Sequence, residues 1–257
     1  MVTGVQTCAL PISAVLAIHI SSRPADRHHQ FGHHKAEYFS AVIEGALIIV
    51  AAILILREAI NAFHAPHDIA QPVEGIAING VATMINAAWS WMLISRGRAW
   101  RSPALVADGW HLFSDVATSL GVLVGLALAA ITGWKVLDPL LAGVVAVHIL
   151  WVGWRLMRGS ASSLLDEAVP AETAKAIHRV ITANATGALQ VHDVRTRLAG
   201  RATFIEFHLV VPGAMTVEAS HTICDRIEDA LEQAIEGAEV LIHVEPEHKA
   251  KSNALEV

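Results

Sequence analysis

One stretch, Ala104–Ala130, decides what kind of fold this chain can adopt. ALVADGWHLFSDVATSLGVLVGLALAA is apolar enough to cross a bilayer, yet carries Asp108, His111 and Asp115 near its start. Each such group costs about 2.5–3.5 kcal/mol at the centre of a membrane helix, so it persists where it faces a partner, a cavity or an ion. At a helical rise His111 and Asp115, spaced i and i+4, stand one turn apart on one face. An imidazole and a carboxylate so placed are either half of a tetrahedral site for a divalent transition metal or a hydrogen-bonded pair joining helices. The stretch alone leaves both open.

Composition sides with a membrane protein: 54% of the 257 residues are hydrophobic and 16% charged, against about 25% charged in soluble domains. A net charge of −6 gives no reason to expect nucleic acid. Fifteen histidines against one tyrosine favour metal or proton chemistry. Cys8 and Cys224 have neither zinc-ribbon nor CxxC spacing, so sulfur ligation and a disulfide framework are both unsupported. No HExxH or comparable base-bearing motif is present, and the chain is expected not to be an enzyme.

Val2–Ser13, VTGVQTCALPIS, looks like a translated sequencing adaptor and lacks the basic start of a signal peptide. Residues 1–13 are therefore read as non-native and the chain as truncated at its N-terminus. Residues 14–36 read as the last turns of a membrane helix and a His-rich loop. Spans are expected at Tyr38–Phe63, Gly75–Ile94, Ala104–Ala130 and Leu140–Met157, with Asn79 and Asn86 bonding between helices. Residues 37–159 thus form a membrane α-helical bundle of four complete transmembrane helices, beside the end of a fifth. Arg23, Arg27 and Lys35, then Arg96, Arg98 and Arg101, then Arg155 and Arg158 put the first and third loops and the C-terminus in the cytoplasm.

After a linker at 160–169, residues 170–248 read as a soluble domain. Pro170 opens a helix at Ala171–Ala183, strands follow at Val191–Leu198 and Ala202–Val211, then a helix at Thr216–Ile235 and a strand at Glu239–Val244. The order α-β-β-α-β gives a two-layer α+β sandwich. Residues 249–257 read as a disordered tail.

Six motifs in register, RPADRHHQFGHHKAEYFSA, ADGWHLFSD, LLDEAVP, VHDVRTR, FIEFHLVV and VLIHVEPEH, resemble the cation diffusion facilitators. The resemblance implies a dimeric divalent-metal/proton antiporter with six transmembrane helices in the intact family and a cytoplasmic, ferredoxin-like metal-binding domain. It implies His111 and Asp115 as the fifth helix's two ligands to the transported ion, with Asp108 outside that shell. The second helix's ligand pair would lie upstream of Ala14. His29 and His33, with Asp26, match a second metal site found in some members; Arg27 stands where an acid is usual, and four loop histidines equally suit a solvated metal sink. His192, His208, His221 and His243, with Glu245, match the ligands of the cytoplasmic module, the alternative being surface histidines. Lys35 and Asp166 match a pair that interlocks bundle and domain. The implied function is efflux of a divalent cation across the inner (cytoplasmic) membrane by a homodimer in exchange for protons. Zn2+ is the first choice of ion, with Cd2+, Fe2+ or Co2+ as others. A membrane metal sensor that does not transport is the competing class.

Overall fold

The computed structural model describes residues 14–64, 73–134, 136–251 and 255–256. The adaptor-like segment 1–13, the connector 65–72 and Lys135 lie outside the described residues. The chain divides into two units, one ending at Ala161 and the other starting at Ser162.

In the first unit a helix over residues 14–21 (α1) is followed by α2 (Ala36–His64), α3 (Val73–Ala99), α4 (Pro103–Thr132) and α5 (Leu137–Leu164). The four long helices cover the four expected spans and overrun each at both ends. A span is set by the thickness of hydrocarbon, whereas a helix continues until something breaks it. Arg96 and Arg98 consequently sit in the last turn of α3 rather than in a connector, where cations suit the helix C-terminus. For the same reason α5 runs through half of the expected linker, to Leu164. Among the described residues, two helices, α2 and α5, contain 18-residue windows of mean hydropathy 2.6 and 1.8, long and apolar enough to cross a membrane.

Close backbone approach holds these helices together. A Cβ on Gly109 of α4 would fall 2.7 Å from Ile94 of α3, and the Ser90 hydroxyl donates to the Gly109 carbonyl at 2.9 Å. A Cβ on Gly153 of α5 would fall 2.9 Å from Ile48 of α2 and 3.2 Å from the Gly45 carbonyl. Such small-residue contacts replace the hydrophobic drive that lipid removes. Glu37, only 3% exposed, adds a polar clasp. It accepts from Ser21 Oγ at 2.7 Å and from Ser102 Oγ, joining the end of α1, the start of α2 and the approach to α4.

The second unit holds α6 (Ala171–Asn184), β1 (Gln190–Ala199), β2 (Ala202–Val211), α7 (Val217–Ala234), β3 (Ala238–Pro246) and the two-residue β4 (Leu255–Glu256). The sheet order is β3-β2-β1-β4, with β3 parallel to β2 and the other pairs antiparallel. Both helices cover one face: Ile177, Ile181, Ile223, Ile227 and Leu231 pack on Val191, Ile205, Phe207 and Leu209. Cys224 is part of that core and behaves as a small hydrophobe, its thiol pushed up by burial and by neighbouring Glu228 and Asp225.

Two features depart from the sequence reading. The tail expected to be disordered is partly ordered: Lys251 exchanges hydrogen bonds with the Gln190 side chain at 2.7 Å each, and β4 pairs with Gln190 and Val191. The sheet therefore has a short fourth strand beyond the expected three. The alternation of β1 is also broken by a register shift between His192 and Arg195, with Asp193 at φ 52°. This bulge lets Val191 and Val194 both face the core while His192 turns to the opposite face.

The glycine contacts predict a contrast. Gly153→Val must displace Ile48 and the Gly45 backbone and should destabilise the protein by about 1–3 kcal/mol. Gly143→Val, on the same helix with nothing within 4 Å, should not. Thermal unfolding in detergent compares the two; equal midpoints would remove the α2–α5 contact from the account.

Candidate metal centres

On α4, His111 and Asp115 face each other one turn apart. His111 Nε2 lies 3.8 Å from Asp115 Oδ2, beyond hydrogen-bond reach. The His111 side chain is 15% exposed, and its Nδ1 is buried without a hydrogen-bond partner. Asp115 is half exposed, and Asp108, one turn before His111, is buried. The pair is thus one turn apart and unlinked, on the helix that Gly109 holds against α3.

The His-rich loop between α1 and α2 forms a compact turn around Asp26. Asp26 Oδ1 accepts the backbone N–H of His28 at 2.8 Å and of His29 at 2.7 Å. Those two donors hold its carboxyl below the ordinary carboxylate range. The turn brings His29 Nδ1 and His33 Nε2 each to 3.5 Å from the carboxylate, with the two rings 4.3 Å apart. Asp26, His29 and His33 offer ligand atoms all within 4.8 Å of one another, the spacing a single cation needs. His33 is the least exposed of the three, and its Nδ1 is buried and unbonded.

In the second unit strand register does the work. His192 of β1 is paired with His208 of β2, and His208 with His243 of β3, so three adjacent strands carry a row of imidazoles. Successive rings are 5.1 and 4.9 Å apart. Glu245 faces all three: His192 Nε2 at 3.1 Å, His208 Nδ1 at 3.4 Å and His243 Nε2 at 3.7 Å. Ligands of a tetrahedral zinc, each about 2.0–2.1 Å from the ion, lie about 3.3 Å from one another. The His192 side chain is only 3% exposed, and neither ring nitrogen makes a hydrogen bond.

His221 stands apart from this row. It lies on α7, which packs by Ile223 and Ile227 on the sheet's other face, and is 71% exposed with Asp225 at 3.5 Å. The residue the sequence reading left out is Asp193. The bulge swings its carboxylate to the histidine side, and His192, Asp193 and His208 again offer ligand atoms within 4.8 Å of one another. Its only sequence signal is an acid beside a histidine in VHDVRTR; nothing in strand alternation would place it there. Asp166 bonds Arg197 at 3.3 Å within this unit.

Comparison with known proteins bears on both units. Residues 5–165 match the family described as the cation efflux transmembrane domain, and residues 169–247 the cation efflux protein cytoplasmic domain. An uncharacterized transporter of Synechocystis sp. is 41% identical over 244 residues, covering 95% of this chain and 79% of that protein. The cation-efflux pump FieF of Serratia proteamaculans is 32% identical over 251 residues, 96% and 81% of the two chains. Among solved structures, the metal-bound C-terminal domain of the CzcD transporter from Thermotoga maritima is 28% identical, with a TM-score of 0.29, over 32% of this chain and 100% of its own.

The loop generates a test of its own. A carboxyl held below its ordinary range stabilises the turn at neutral pH, and that contribution is lost only as pH falls through the lowered value. Across about pH 5 to 8 the turn should therefore keep its order. Asp26→Ala should speed amide exchange at His28 and His29, and Asp26→Asn, which keeps an acceptor, should do so less. Unchanged exchange in Asp26→Ala would sink the assignment.

Proposed function

Because this chain belongs to the cation diffusion facilitator family, with a transmembrane domain followed by a cytoplasmic one, we propose that it moves a divalent cation, zinc before others, out of the cytoplasm across the inner membrane. The observation that carries the reading is His111. A mostly buried imidazole whose Nε2 faces the Asp115 carboxylate, too far for a hydrogen bond, is arranged to receive a cation between them. Histidine and aspartate supply two of the donors such an ion takes. Imidazole suits zinc, cadmium and cobalt, and iron less strongly, whereas manganese prefers oxygen and lies lowest in the divalent affinity order.

His111 also carries the proposed exchange with protons. A proton and a cation compete for the lone pair of one imidazole nitrogen, so one proton can replace the leaving cation there. In the cytoplasmic domain, His192, His208, His243 and Glu245 form the proposed regulatory metal site, in a homodimer. His221, on the far face, joins such a site only from a second copy of the domain. Asp26, His29 and His33 form a third candidate site in the loop.

Competitive uptake of zinc and manganese into proteoliposomes tests the transport reading. His111→Ala should abolish zinc uptake, and His111→Asp should narrow the preference for zinc over manganese and shift the pH dependence of uptake. Manganese competing equally in the wild type would withdraw zinc. Metal binding without flux would favour the sensor class. For the cytoplasmic site, His208→Ala combined with His243→Ala should weaken zinc binding to the purified protein, read by titration calorimetry; equal affinity would remove that assignment.

A further inference from the structure

Asp193 is claimed twice. Its Oδ2 lies 3.6 Å from His192 Nδ1, inside the group of ligand atoms shared with His208. The same oxygen accepts the Lys251 ammonium at 2.5 Å. The arrangement is built rather than incidental. Asp193 sits at φ 52°, in the left-handed region, and this is what brings its carboxylate to the side of the His192 ring. Lys251 is delivered by an anchored backbone: the Gln190 amide donates to the Lys251 carbonyl and accepts its N–H, both at 2.7 Å. Beyond it, Leu255 and Glu256 pair with Val191 and Gln190 as a short edge strand. His192 supplies the independent sign of a ligand, being 3% exposed with its Nδ1, the nitrogen facing Asp193, making no hydrogen bond.

An ammonium and a divalent cation held at one carboxylate oxygen weaken each other's hold. A metal bound at about 2.0–2.2 Å from Oδ2 would stand within a few ångströms of the Lys251 charge, and the two repel. The lysine is the weaker competitor, because the pair is partly solvated and the cation has two imidazoles besides the carboxylate. We propose that Lys251 and a divalent cation compete for Asp193, so that a cation binding beside His192 and His208 releases the C-terminal segment from β1. Asp193 is then a further metal ligand, and Lys251 is its resident counter-ion in the metal-free domain. The C-terminal segment becomes the part of the molecule that reports metal occupancy. The inference rests on reading this domain as a metal-binding module.

The test uses the full chain purified in detergent, with zinc as the probe and two measurements: calorimetric affinity, and amide exchange at residues 247–251, 255 and 256. In the wild type, zinc should speed exchange in that segment. In Lys251→Gln the segment should exchange fast without zinc, and zinc should bind about two- to fivefold more tightly, the range that removing an exposed competing ion pair can give. Asp193→Asn should also loosen the segment but weaken zinc binding. Exchange that zinc leaves unchanged or slows, or a Lys251→Gln affinity equal to the wild type, overturns the competition. His208→Ala separates the two levels. If it binds zinc as the wild type does, the metal-module reading falls and the latch with it; if it binds weakly while the exchange and Lys251→Gln arms fail, only the latch falls.

Discussion

A buried polar atom left without a hydrogen bond costs about 1–3 kcal/mol. Among the described residues, the buried side-chain nitrogens in that condition are His33 Nδ1, His111 Nδ1, both nitrogens of His192 and His208 Nδ1. They belong to three separate clusters, on a loop, a membrane helix and a sheet, and each cluster has a carboxylate within 4 Å of one of its ring nitrogens. Glu37, equally buried, is satisfied by two serine hydroxyls. Local structure keeps those imidazoles in place. Gly109 pins α4 to α3, the Asp26 turn folds the loop on itself, and the bulge at Asp193 turns His192 away from the core.

Much of this was readable from residue order, and the failures have definite causes. The four long helices, and the helices and long strands of the cytoplasmic domain, follow from runs of apolar residues and from the Pro170 and Gly237 punctuation. Simple alternation along β2 sets His208 opposite Phe207 and Leu209, which are 1% and 0% exposed. Along β1 the same count puts His192 in phase with Val194 and Leu198. A bulge adds one residue to a strand, and period-two counting has no means of seeing it. Asp193 was missed for the same reason. His221 matches the same motif set, and in a single copy helix α7 carries it to the opposite side of the sheet, a separation that only the fold reveals. The tail was read as disordered from its composition, which holds no trace of the paired hydrogen bonds from Gln190.

The two units space their histidines and carboxylates by different means. In the helical unit, the spacing is fixed along a single element, since i and i+4 stand one turn apart whatever the neighbouring helices do. In the sheet, spacing is fixed across elements, by the register that lines up His192, His208 and His243. A helix site therefore changes when another helix moves relative to it. A sheet site changes only if hydrogen bonding between strands is broken, or if something attached to its edge comes and goes.

That edge has a second consequence. The outer side of β1 would otherwise offer unpaired backbone groups to any strand that met it. Here the N–H of Leu198 donates to the Glu167 carbonyl and the Thr196 hydroxyl accepts from Val169 at one end, the bulge twists the middle, and β4 closes the other end. The stretch that β4 covers is only Gln190 and Val191, too short to template pairing with a foreign chain. The domain can therefore uncover this part of its border and close it again without inviting aggregation.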